Sequence, residues 1–348
     1  MSSLPDTLDR ERLVYRWDLD KTYLRTEFDT LRDLFTTAFE RPSDKRTVPG
    51  ASALLREIQA SGPAGIYILS GSPEQMRRVL EAKLRLDGVR WDSLTLKPNL
   101  SNLLKGRFRA LRDQVGFKLG ALLAGREALA PGLDEVLFGD DAETDAFIYS
   151  LYADACAGEV GADAISAVLD QGPITEPQRV ELLQRLSRVP KRACCARIFI
   201  HLERVSELDR FEVYGRRVCP FYNYLQPAFV LVELGALDAR AALRVAADLV
   251  IDQGFGPEAL AASYRELAER GQVTAKGAGL LMAALEDVEP PDFASTCEVL
   301  RAFGSELARL RIEPLPSAPR SGSPDYAAIL SDERARVRRV RARALLKG

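Results

Sequence analysis

LVYRWDLD, residues 13–20, opens as a β-branched and aromatic run and closes on two acids, Asp18 and Asp20. A short apolar run of this kind reads as a strand. Three further strands stand downstream: GIYIL at 65–69, SLTL at 93–96 and EVLF at 135–138. Amphipathic stretches separate them. The first, near 51–61, follows Val48-Pro49-Gly50 and puts Leu54, Leu55 and Ile58 on one face. Another starts near Pro73 and runs to about Leu86, with Ser72 placed as its N-cap. A third contains Phe117-Lys118, and a fourth runs through Phe147 and Tyr149. Strands alternating with helices predict βαβ units and a parallel sheet for roughly the first 155 residues.

Beyond about residue 160 the pattern changes. Apolar residues recur at helical spacing in 178–189, 236–252, 257–270 and 276–287. The expected fold is therefore α/β, a Rossmann-like parallel sheet flanked by helices, followed by a mostly α-helical C-terminal domain. The expected division is 1–157 for the sheet domain, 158–312 for the helical domain, a Pro/Ser-rich linker at 313–325 and a basic helix at 326–348. The aromatic segment 212–234 carries no chemistry of its own and is expected to pack on the first domain.

The 348 residues are 47% hydrophobic and 28% charged, a composition that excludes a disordered or fibrous chain. Net charge is −2, so the whole chain offers nucleic acid no general attraction. The charge is uneven, because Asp332 to Gly348 holds six Arg and one Lys against two acids. That tail reads first as a solvated helix, and its sharper alternative is attachment to an anionic membrane surface. Five Cys without a CxxC pair, and a single His, argue against a disulfide framework and a zinc site. Cys194 and Cys195, with His201, lie in the apolar run CCARIFIHL and read as buried thiols. No stretch has the length and apolarity of a membrane span, and MSSLPDTLDRER lacks the order of a secretory signal. A reducing cytoplasm is the expected compartment.

Ligands of open parallel sheets bind beyond the carboxyl ends of the strands. The residues at those ends are Asp18 and Asp20, Ser70 and Gly71, and Asp140, Asp141 and Asp145, with Lys118 on a neighbouring helix. So many carboxylates repel one another, which calls for a divalent cation, and oxygen-only donors favour Mg2+. These parts fit phosphoryl transfer through an aspartyl-phosphate. Asp18 would be the nucleophile and Asp20 the acid and base. Ser70 with backbone amides at the start of the following helix would hold phosphate oxygens. Lys118 would offset the acids.

DLDKT (18–22), the strand ending at Ser70, Lys118 and GDDAETD (139–145) resemble the four ordered motifs of the haloacid dehalogenase superfamily. Val48-Pro49-Gly50, SGSP (70–73), FKLGAL (117–122) and GDDAETDAFIY (139–149) resemble the actin-patch phosphatidate phosphatase catalytic domain, a relative of the lipin group. The resemblance covers about residues 12–157. It implies an Mg2+-dependent phosphatase with Asp18, Asp20, Ser70 and Lys118 catalytic. It implies substrate contacts from Thr22, Ser70, Gly71 and Lys118, and metal held by Asp18, Asp20, Asp140 and Asp145. Two positions depart from that pattern: Lys21 stands where the narrower family carries a third Asp, and Asp141 where it carries Ser. The intervals 23–47 and 87–116 are too short for a cap domain of ordinary size. An open site suits a phosphatidate-like lipid, a polynucleotide end or a phosphoprotein. Lys97, Lys105, Arg107, Arg109 and Arg112 form a basic stretch beside it, read as a solvated face. The competing class is a non-catalytic phosphate-binding or regulatory protein.

Overall fold

A computed structural model describes residues 7–24, 47–98, 107–142, 144–172, 174–203, 206–287, 295–313 and 322–332. Its sheet elements come first as β1 (Leu13–Trp17), β2 (Gly65–Pro73) and β3 (Ser93–Lys97), separated by helices α1 (Ala51–Ala60) and α2 (Arg77–Leu86). Helix α3 (Arg107–Ala128) leads to β4 (Asp134–Asp140), and α4 (Asp145–Ala157), α5 (Ala162–Leu169) and α6 (Glu176–Arg188) follow. The chain then returns to the sheet with β5 (Cys195–His201) and β6 (Val218–Phe221). Helices α7 (Leu225–Glu233), α8 (Ala239–Gln253), α9 (Pro257–Glu269), α10 (Ala275–Glu286) and α11 (Cys297–Arg309) complete the run, and residues 326–332 form a last helical segment.

All six strands are parallel, in the order β3-β2-β1-β4-β5-β6. The order grows outward from β1 to β3, then reverses at β4. A crevice at such a reversal is where open α/β sheets bind ligands. The strands are apolar without alternation because both faces are covered, and all five residues of β1 are buried. Tyr15, Trp17, Val136 and Phe138 point into one layer with α1, α2 and α7 to α11. Leu69, Leu137, Ile198 and Ile200 point into the other, with α3 to α6.

Two strands lie where the periodicity predicts only helices. The run Cys195–His201 is buried at every position, and a short, wholly buried segment has no period that separates strand from helix. Strand β6 contains Pro220, tolerated because β6 pairs with β5 alone and ends the sheet. The sheet thus continues past residue 157.

Register aligns aromatics across the strands. Trp17 stacks on Phe138 with centroids 3.9 Å apart, and Phe138 on Phe199 at 4.8 Å. Phe199 meets Phe221 edge to face at 6.4 Å. Each such pair adds about 0.5–1.5 kcal/mol beyond its buried area. Tyr224, just past β6, packs against both Trp17 and Phe221, so the aromatic segment 212–234 does reach the first strand. All five cysteines are buried free thiols. No described helix is long and apolar enough to cross a membrane.

Candidate active site

Strands β1 and β4 are neighbours, with Trp17 opposite Phe138, so the residues that follow them share one spot. The Asp18 amide donates to the Phe138 carbonyl over 2.9 Å, carrying the pairing one residue past β1. Asp18, Asp140 and Asp145 are fully buried there, and each offers a carboxylate oxygen within 4.8 Å of the others. Asp145 arrives from the first turn of α4, where a helix N-terminus favours negative charge. Gly139 makes room for it. A Cβ at Gly139 would stand 2.5 to 2.8 Å from three Asp145 side-chain atoms, so that side chain lies over bare backbone.

Lys118, also fully buried, comes in from the middle of α3. Its Nζ donates to Asp145 Oδ1 at 2.5 Å and lies 3.2 Å from Asp18 Oδ1. Thr22 Oγ1 donates to Asp18 Oδ2 at 3.3 Å and stands 3.5 Å from Asp140 Oδ2. Asp140 Oδ1 accepts from the Ala142 amide at 2.7 Å, and Asp145 Oδ2 from the Asp140 amide at 3.3 Å. Tyr149 lies close by: burial, reinforced by the Asp145 charge, holds its phenol well above the ordinary tyrosine value, with Lys118 acting against. It stays a neutral donor.

Asp20 stands apart from the group of three. Its Oδ2 accepts from Ser70 Oγ and from Ser72 Oγ, each at 2.8 Å, and Ser70 Oγ in turn accepts from the Ser72 amide at 2.9 Å. This arrangement corrects the expectation for Ser72. Strand β2 runs to Pro73 with an irregularity after Leu69, and a 3-10 turn at Glu74–Met76 precedes α2, which starts at Arg77. Ser72 is therefore a strand residue bonded to Asp20, not a helix cap. Gly71 lies half-buried between the two serines. The Ser-x-Ser spacing, two residues apart on one strand face, is the signal that sequence reading passed over.

The remaining positions fall elsewhere. The Asp141 carboxylate accepts from the Ser206 amide at 3.0 Å, so it holds the loop after β5. Lys21 is half-buried and takes a left-handed backbone, φ 60°, uncommon for a residue with a Cβ. It lines a cavity of about 350 Å3 with Val48, Pro49, His201, Asn223 and Phe255. Lys97 is buried at the end of β3. Lys105 and the basic stretch 333–348 lie outside the described residues, as do the side chains of Arg107, Arg109 and Arg112.

The donor set suits a hard dication. Three buried carboxylates gather beside the Lys118 ammonium, and oxygen donors alone match Mg2+.

Residues 17–166 match the family model described as "Phosphatidate phosphatase APP1, catalytic domain". The resemblance to the actin-patch phosphatidate phosphatase catalytic domain is thereby shown for that segment. No curated protein and no solved structure matches the chain.

Proposed function

We propose, from the family match over residues 17–166, that this chain is a phosphomonoester hydrolase of haloacid dehalogenase type with a phosphatidate-like lipid as substrate. One observation supports the reading above others. Asp18, Asp140, Asp145 and Lys118 meet, wholly buried, at the point where the strand order reverses. Acids and an ammonium converging at the crevice of an open parallel sheet are the parts a phosphoryl-transfer site needs.

An Asp18 carboxylate oxygen attacks phosphorus, and the bond to the ester oxygen breaks. The leaving oxygen takes the proton of Asp20, whose carboxyl is steered by Ser70 and Ser72. Asp20, now a carboxylate, takes a proton from water as the water oxygen attacks phosphorus. The bond from phosphorus to Asp18 breaks, freeing phosphate and restoring both acids. Lys118, held between Asp145 and Asp18, fixes the angle of the nucleophile and balances charge on the phosphoryl oxygens. Thr22 fixes the other oxygen of Asp18. Ser70 and the Gly71 amide are the phosphate contacts in this reading. Mg2+, bound by Asp18, Asp140 and Asp145 with Asp20 nearby, would supply electrostatic stabilisation of the developing charge. The compartment proposed is the cytoplasm, and the basic tail is proposed to attach the enzyme to anionic lipid.

The test is phosphate release by wild type and Asp18→Asn, with Mg2+ and with EDTA. The substrates are para-nitrophenyl phosphate, phosphatidate liposomes, a 3′-phosphorylated oligonucleotide and a phosphopeptide. Metal-dependent release is expected, preferring liposomes, and a loss of at least about 10^3-fold in Asp18→Asn. Undiminished turnover by Asp18→Asn would refute the covalent step. Preference for the oligonucleotide or the phosphopeptide would keep the chemistry and replace the substrate.

A further inference from the structure

The loop 18–24 is held by two side chains from outside the matched segment. Lys21 and Thr22 present successive carbonyls. The Tyr224 hydroxyl donates to the Thr22 carbonyl, and His201 Nδ1 lies 3.0 Å from the Lys21 carbonyl. A carbonyl can only accept, so Nδ1 carries the proton. We infer that Tyr224 and His201 are positioning residues that fix the backbone between Asp20 and Thr22, and through it both catalytic carboxyls. The inference rests on the reading of Asp18 and Asp20 given above.

The peptide between those two carbonyls is the one that needs fixing. Lys21 is the single described residue other than glycine with positive φ, and such a conformation persists only where its surroundings over-determine it. Inside the loop, the Lys21 amide donates to the Leu24 carbonyl and the Tyr23 and Leu24 amides to the Leu19 carbonyl. These bonds close the turn. From outside it, the Val48 amide donates to the Tyr23 carbonyl, the Tyr23 hydroxyl to Asp87, and the Ser70 and Ser72 hydroxyls to the Asp20 carboxyl. At the Lys21 and Thr22 carbonyls the side-chain contacts come from His201 and Tyr224, and both are rigid. Tyr224 is fully buried, stacked on Trp17 at 5.8 Å and on His201 at 5.8 Å. Gly50, at φ 78°, backs it so closely that a Cβ there would lie 3.1 Å from the Tyr224 Cβ. His201 ends β5 in register with Asp140. Burial, with the Asp140 and Asp18 charges, keeps the Tyr224 phenol protonated and therefore a donor.

The consequence reaches the reacting groups directly. Thr22 bonds Asp18 on one side of the tethered peptide, and Asp20 is the residue on the other. Slack at Lys21 would move the acid relative to the nucleophile without unfolding anything. The second half of the chain then does more than cover the sheet: it supplies the tether.

The test uses the full chain and the variants Tyr224→Phe, His201→Leu and His201→Asn, the last keeping an N–H near the place of Nδ1. Hydrogen exchange of the peptide covering 18–24 is followed beside turnover of para-nitrophenyl phosphate. Exchange at least tenfold faster is expected in Tyr224→Phe and His201→Leu, with peptides of β1 and β4 unchanged. A kcat loss of at least tenfold with KM within twofold is expected to accompany it, and His201→Asn should recover most of both. Wild-type exchange in Tyr224→Phe and His201→Leu, or faster exchange spread evenly over the molecule, overturns the tether. Loss in KM alone overturns its catalytic role. A wild type that releases no phosphate from any substrate overturns the proposed function instead, and the exchange measurement still decides the tether.

Discussion

Arg16 and Glu135 stand on the same two strands as Asp18 and Asp140, and both clusters are buried, yet their charges are arranged differently. Arg16 meets Glu135 one to one, with Nε donating to Oε1 at 2.7 Å and a second guanidinium nitrogen 2.6 Å from the same oxygen. Tyr152 donates to the other oxygen. Burial works against the Arg16 charge, but Glu135 and Tyr152 outweigh it and hold the guanidinium above its ordinary value. Nothing is left over. At the carboxyl ends of the strands, three carboxylates converge on one spot beside Lys118. Burial alone therefore does not mark a site in this protein. Convergence of several like charges at the sheet's crevice does, because a one-to-one pair serves a core whereas gathered acids are typical of a functional site.

Breaking the matched pair should give the largest effect. Glu135→Leu strands a buried guanidinium and should cost about 3–5 kcal/mol in denaturant unfolding, whereas Arg16→Met with Glu135→Leu should recover most of it. Turnover per folded molecule should hold in both. A silent single variant would break the comparison from the structural side.

Next comes the acidic cluster. Asp140→Asn should lower turnover by about 10^2- to 10^3-fold, equivalent to about 2.7–4 kcal/mol at the barrier. Its stability should stay level or rise, since one of several repelling charges has gone. A melting temperature that falls as far as in Glu135→Leu would show that Asp140 is structural after all. Close to this in size, Mg2+ at a hundred times its Kd should stabilise the wild type by about 2.7 kcal/mol. Differential scanning fluorimetry should find that shift intact in the Arg16→Met/Glu135→Leu protein and absent with EDTA or in Asp140→Asn. The smallest effect expected is that of Ser72→Ala. Losing one hydroxyl from Asp20 should lower kcat about fivefold, about 1 kcal/mol, with KM unchanged.

The clusters also differ in how visible they are in the sequence. Asp18, Ser70, Asp140 and Asp145 could be singled out because apolar strands announce their own ends, and Lys118 because it lies between the motifs in chain order. In the structure Lys118 lies beside both Asp18 and Asp145. What escaped it is non-local. Strands β5 and β6 carry no alternation, since both faces are covered, and Pro220 argues against a strand until its edge position is known. Tyr224 lies 202 residues from Thr22 and His201 180 from Lys21, and no spacing rule reaches that far. Ser72 was misread for a smaller reason. Its neighbour Pro73 favours a helix start, whereas here β2 continues through it.

The pairing of β4 with β5 bears on how the protein is made. A ribosome delivers Asp18, Lys118, Asp140 and Asp145 well before it delivers Cys195–His201. Through that interval β4 has one open edge, and the apolar residues later covered by α7 and α8 face water. About 60 residues separate Asp140 from the end of β5, which is about 3–12 s of synthesis at ordinary elongation rates. The nascent chain thus carries Asp18, Asp20, Asp140 and Asp145 before it has the two outer strands that complete the sheet.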